Sequence, residues 1–231
     1  MFVLAMAAAL LPIAASATIL DLGAALQDFD PGDGLEEVEL NGDAFVHVRC
    51  INLGGGPDLC IVFDSECPSG GDVDLGTPNQ DFGGPGDGKG GGEGAEGEND
   101  EAFGKVLIIA EENEDEDDDG RVDDPDDESG GGIVKLFFSH AGRLSLCIID
   151  VDEDEEAPRL VLYKEKDVVA EVEGESPGDN SVQCLSLESA GDVDGVAIHL
   201  DGSAAIAEIE LDVPAVGVEG STWSTLKAIY R

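Results

Sequence analysis

The chain of 231 residues carries 53 acidic side chains against 11 Lys and Arg, a formal net charge of -42. A charge of that size makes nucleic acid and anionic membrane poor partners and leaves cations, mineral surfaces and neutral sugars. Apolar residues, rich in Val, Ile and Leu, still make up 42% of the chain, so it holds material for one core of ordinary size and is not a disordered acidic polymer.

Residues 1–17 read FVLAMAAALLPIAAS after the first Met and end in Ala15-Ser16-Ala17. Small residues stand where a signal peptidase reads, and the apolar run is too short to span a bilayer, so this segment is expected to be a signal peptide and the mature protein to be secreted. Beyond it the dominant hydrophobic period is two. Strand candidates are LEEVEL from Leu35, AFVHVRCI from Ala44, LCIVF from Leu59, KVLIIA from Lys105, IVKLFF from Ile133 and LSLCIID from Leu144. They continue with RLVLY from Arg159, VVAEV from Val168, SVQCLSL from Ser181, GVAIHL from Gly195 and AIAEIEL from Ala205. Short runs separated by Gly, Asp, Asn and Pro clusters predict antiparallel strands, and their number without intervening helices predicts two packed sheets. The expected fold is all-β, an antiparallel jelly-roll-like β-sandwich over residues 18–213.

Two segments stand apart from the sandwich body. Residues 65–103 are Gly-rich and carry GGPGDGKGGGEG with no strand signal, which is long for a compact domain and predicts either disorder or ordering by a ligand. Residues 214–231 form a tail in which Ser221 offers a cap and Trp223, Leu226 and Tyr230 fall at helical spacing, so a short C-terminal helix is expected.

The densest chemistry lies in residues 111–128, EENEDEDDDGRVDDPDDE, with thirteen acidic side chains and one arginine. Asp115, Asp117 and Asp119 alternate and are followed by Gly120, the spacing that turns carboxylates to a common centre while glycine permits the bend. Counting from Asp115, Asp123 and Asp126 occupy the ninth and twelfth places of an EF-hand-like loop, and Glu111 stands at its entrance. Asp takes the twelfth place where the EF-hand prefers Glu, and strands flank it instead of helices, so the loop is EF-hand-like without the EF-hand. Calcium (Ca2+) is the expected cofactor. Asp150 and Asp152, at the end of an apolar strand, are further candidate ligands. Asp64, with Asp72 and Asp74, flanks the start of the Gly-rich loop and offers another set.

Cys50, Cys60, Cys67, Cys147 and Cys184 all fall in the mature region, where an oxidising compartment allows pairing. Three are close enough for one local bridge, and Cys147 and Cys184 sit in strand-like runs where they are either paired or buried thiols. No zinc spacing is present. His47, His140 and His199 are isolated, and no GxSxG, HExxH, phosphate-binding or dinucleotide motif occurs.

GDVDLGTPNQDFGGPG at 71–86, VLIIAEE at 106–112 and PDDESGGGIVKLFF from Pro125 resemble a β-sandwich surface module of exported bacterial proteins. IIDVDEDE from Ile148, PGDNSVQCLSL from Pro177 and DGSAAIAEIEL from Asp201 continue the resemblance. The module is similar in pattern to carbohydrate-binding and galactose-binding-like domains, which implies a structural calcium and no carried-over activity. It makes Asp30, in Asp28-Phe29-Asp30, a candidate calcium ligand. Ala207 stands where the family tends to carry an Asp, with Glu208 following, and the C-terminal TWSTLKAIYR departs from a sorting tail.

The expected function is a secreted, non-catalytic, calcium-binding module for cell-surface adhesion or for binding extracellular matrix or polysaccharide. Two other readings stay open: a glycoside-cleaving enzyme using a carboxylate pair, and an acidic exported protein adapted to salt with no specific ion site.

Overall fold

The computed structural model describes residues 18–40 and 44–213. The signal peptide expected at 1–17 and the helix expected within 214–231 lie outside the described residues. Strand β1 (Thr18–Asp21) leads into helix α1 (Leu22–Leu26), where the Asp21 carboxylate caps the first turn by accepting from Ala24 N–H at 2.7 Å. Leu22 and Leu26, one turn apart, are fully buried, so this single turn is held by packing. Then follow β2 (Glu37–Leu40), β3 (Ala44–Asn52), β4 (Cys60–Asp64), β5 (Lys105–Ile109), β6 (Gly132–Val151), β7 (Arg159–Lys164), β8 (Asp167–Glu173), β9 (Gly178–Leu200) and β10 (Ala205–Val213).

All pairings between these strands are antiparallel and join them into one hydrogen-bonded sheet. The all-β antiparallel expectation holds. Four of the expected runs merge, however, into two long strands, β6 of 20 residues and β9 of 23. The polar interruptions that suggested loops are irregularities within the β6–β9 ladder, whose register shifts between Phe137 and Ala141 and again between Ala141 and Arg143. Such bulges bend a strand without ending it. The N-terminal half of β6 and the C-terminal half of β9 sit between β3 and β7, with β2 and β8 outermost. Their other halves carry β10, which pairs in turn with β5 and β1, and β4 lies outside β5.

The two half-sheets share one core. Val48, Leu136, Ile198 and Leu162 of the first meet Val62, Leu107, Leu146 and Ile206 of the second. The second half-sheet also buries its opposite face: Ile61, Phe63, Val106, Ile108, Ile149 and Ala205 form a separate cluster covered by Leu75, Phe103 and Val122 from the long loops. That accounts for the uninterrupted apolar runs CIVF and VLII, which strands wet on one face do not show.

Cys50 on β3 and Cys60 on β4 form a disulfide between the two half-sheets, and Cys147–Cys184 bridges directly paired positions of β6 and β9. Cys67 is free and exposed. The first bridge closes a loop with sequence separation 10, for which chain-entropy reasoning gives a contribution of about 2–3 kcal/mol. Replacing both Cys50 and Cys60 by Ala is expected to lower unfolding free energy in urea by that amount, while the parent in reductant shows an equal or larger loss.

Candidate metal centre

The Gly-rich segment is ordered by the chain's own polar groups. Asn180, fully buried at the start of β9 with φ +58, is its anchor. Its side-chain amide donates to the carbonyls of Gly76, at 2.8 Å, and of Asp74, while its Oδ1 accepts from Asn79 Nδ2 at 2.6 Å. Asn99 reaches the Asn180 carbonyl from the other side, at 3.3 Å. The glycines serve close backbone approach: a Cβ on Gly88 would stand 2.4 Å from the Asp179 carbonyl oxygen, and one on Gly91 2.1 Å from that of Asn180. Glycine content here marks a loop laid directly on a strand.

This packing carries carboxylates inward. A single turn of 3-10 helix at Val73–Leu75 carries Asp74 within it and Asp72 at its N-cap. Asp72, Asp126 and Asp127 offer oxygens within 4.8 Å of one another, and so do Asp74, Asp150 and Asp179. Three main-chain N–H groups and one hydroxyl orient three of the six. Asp127 accepts from Ala204 N–H at 2.7 Å and Ser203 Oγ at 3.1 Å, Asp72 from Asp127 N–H at 3.0 Å, and Asp150 from Asn180 N–H at 2.6 Å. Asp127 and Asp150 are only 4% and 2% exposed.

Burial dominates the electrostatics. It lifts the carboxyls of Asp72 and Asp150 to about 7 and that of Asp127 well above the ordinary carboxylate range. Neighbouring acids add to it: Asp126 and Asp74 act on Asp72, Asp72 and Asp150 on Asp127, and Asp74 and Asp152 on Asp150. Burial likewise raises Asp74 and Asp179, with Asp152 contributing to both. The two triads therefore sense each other through Asp127, Asp150, Asp126 and Asp74. Hard oxygen donors, pre-oriented and mutually repelling, are the donor set that a hard divalent cation neutralises.

The residues singled out from sequence are distributed among several places. Asp126 and Asp150 belong to the two triads, and Asp152 lies beside the second. Asp115, Asp117 and Asp123 converge within 4.8 Å in the acidic loop, with Asp117 and Asp123 exposed. There Asp115 accepts from Gly120 N–H at 2.9 Å and Asp123 from Glu116 N–H at 2.6 Å. Asp119 faces Arg121 at 3.7 Å. Asp30 also meets Arg121, at 2.6 Å, and Asp64 pairs with Lys105. Glu111 is exposed, its main-chain N–H bound to the Asp126 carbonyl at 3.1 Å. Sequence spacing did not single out Asp127 or Asp179; PDDE and PGDN show an acid beside a turn former, but only folding brings them to the same edge. Cys147, Cys184 and Glu208 also meet, with both sulfurs committed to the disulfide.

No family model matches the sequence, and no curated protein does. Among solved structures the chain is similar to a family 29 carbohydrate-binding module from Piromyces equi, at 12% identity and TM-score 0.27, over 47% of this chain and 69% of that one. It is also similar to the cleaved adhesin domain of Lys-gingipain from Porphyromonas gingivalis, at 8% identity and TM-score 0.35, over 75% of this chain and 100% of that one. A mutant of the lectin binding domain of lectinolysin complexed with Lewis b matches at 16% identity and TM-score 0.28, over 38% of this chain and 68% of that one. Likenesses at these scores carry no argument about binding, and the fold rests on its own strand pairing.

Because the folded carboxyl of Asp150 is raised from 3.8 to about 7, folding favours its protonated form. Without a divalent cation, its contribution to stability is full below about pH 4 and is lost as the pH rises toward 7. In EDTA the Asp150→Asn variant is expected to melt above the parent at pH 7 and level with it near pH 4, as followed by thermal unfolding across that range.

Proposed function

We propose that the chain is an exported, non-catalytic β-sandwich module whose loops are clamped by calcium and which binds carbohydrate or another extracellular surface. The observation that carries the calcium reading is the convergence of Asp72, Asp126 and Asp127 beside Asp74, Asp150 and Asp179, with two of the six almost fully buried. Buried like charges are costly unless neutralised. Calcium supplies that neutralisation and accepts the six to eight oxygens that loop-borne carboxylates and carbonyls provide. The two triads would hold the Gly-rich and acidic loops onto the ends of β6 and β9, and Asp115, Asp117 and Asp123 would form a peripheral, solvent-facing site.

Two disulfides support an oxidising compartment and hence export. No helix among the described residues is long and apolar enough to cross a membrane. Raised carboxyls are also what a glycosidase's acid requires, but Asp127 and Asp150 are too enclosed to touch a polymer chain. Enclosure also disfavours the salt-adapted reading, since carboxylates away from water add nothing to surface hydration.

The test is a thermal melt of the mature chain in EDTA, calcium or magnesium at matched ionic strength. Calcium is expected to raise the midpoint specifically; at a hundredfold excess over Kd, linkage gives about 2.7 kcal/mol. Asp127→Asn is expected to lose most of that response and Asp117→Asn little of it. Equal responses to all salts, or an unchanged response in Asp127→Asn, would remove the calcium reading.

A further inference from the structure

The loops cover the outer face of the second half-sheet, whereas the outer face of the first has a chemistry foreign to the rest of the chain. Arg49 on β3 stands directly opposite Lys135 on β6, which continues to Ala197 on β9 and Val161 on β7. The adjacent row of that face reads Ile51, Ile133, His199 and Arg159. Cys50, Val134, Ile198 and Leu160 alternate with these residues and enter the core, so Arg49, Lys135, His199 and Arg159 share the face turned away from it. The imidazole of His199 is held below its ordinary pKa by burial and then by Arg159 and Lys135, which places the three within one electrostatic neighbourhood.

Like charges directly opposite on neighbouring strands are unfavourable. Here they persist in a chain with 53 acidic residues available to separate them. Lys105 and Arg121 are ion-paired with Asp64, Asp30 and Asp33, and Arg159 contacts Glu171 at 3.7 Å. Neither Arg49 nor Lys135 takes part in an ion pair among the described residues. Arg49 is exposed and Lys135 half-buried, as are Ile51, Ile133 and Tyr163 beside them, while Ala197 and Val161 in the same row are only 1% exposed, so the open part of the face joins a positive pair to partly apolar ground.

We propose that this face binds a saccharide bearing an isolated anionic group, a carboxylate or a sulfate, held between Arg49 and Lys135. The inference rests on the reading of the chain as a carbohydrate-binding module and names the class of sugar. A guanidinium fork and an ammonium are complementary to a single oxyanion. Charges farther away than the Debye length of about 8 Å are largely screened at physiological salt, so the patch acts locally despite the net charge. A densely charged polymer would instead overrun the acidic margin, where Glu171 and Glu173 on β8 end the same two rows and repel it.

Calorimetric titration of the full chain at fixed calcium, with a glucuronate-bearing oligosaccharide, its methyl ester and a monosulfated analogue, tests the proposal. At least one anionic probe is expected to bind about tenfold or more tighter than the ester, as loss of one charge-assisted contact implies. Arg49→Gln with Lys135→Gln should abolish that preference with no change in melting temperature, and Arg143→Gln should retain it. Equal affinity for acid and ester overturns the anionic inference and leaves carbohydrate binding standing. No binding of any probe overturns both, while the calcium-dependent melt remains a separate readout. Self-association of the parent that the double variant loses would show that the face docks a second copy, which also overturns the proposal.

Discussion

The structure depends on covering a half-sheet that is apolar on both faces. One face of β4, β5 and β10 meets the rest of the sheet; the other would lie bare without the long loops, from which Leu75, Phe103 and Val122 close over it. A cover without regular secondary structure must find partners for its own N–H and C=O groups once it is buried. Asn79, Asn99 and Asn180, each at most 1% exposed, and the buried pair Ser65–Thr77, with hydroxyls 2.6 Å apart, supply them. Five short polar side chains therefore do for this layer what a helix ladder does for an ordinary one.

The acidic centre follows from the same constraint. The cover returns to the body where β6 ends and β9 begins, and both the Gly-rich and the acidic loops arrive there with carboxylates. Asp72 binds the main chain of Asp127, and Asp127 binds that of Ala204, so each carboxylate also fixes a loop. The groups that hold the cover down are thus the groups that repel one another, and their pKa values are raised first by burial and then by that repulsion.

Strand content was legible because Val, Ile and Leu alternate with polar residues or run together between turn formers. Continuity was not: Gly142 and the polar segment before Val193 look like loop, yet the β6–β9 ladder is kept through them at Ala141↔Val193 and Arg143↔Glu188, so both strands stay extended through bulges. β1 follows directly on the apolar run of residues 1–17 and carries no strand pattern of its own in sequence. The acidic run identified Asp115, Asp117 and Asp123 as neighbours, because local spacing is what a linear reading detects. The two triads join residues as far apart in sequence as Asp74 and Asp179, and no local pattern could pair them. Glycine was misleading for a physical reason, since the same lack of a side chain that permits disorder also permits backbone to lie on backbone.

The long β6–β9 ladder gives the molecule a mechanical character different from that of a sandwich made of two separate sheets. In the latter, the layers meet only through side chains and are free to slide or part along that plane. Here the same two strands run through both layers and are riveted to each other by Cys147–Cys184. No cleavage plane separates the layers without tearing backbone hydrogen bonds. Force applied to one layer is carried into the other along covalent chain, so the two layers respond to it as one body.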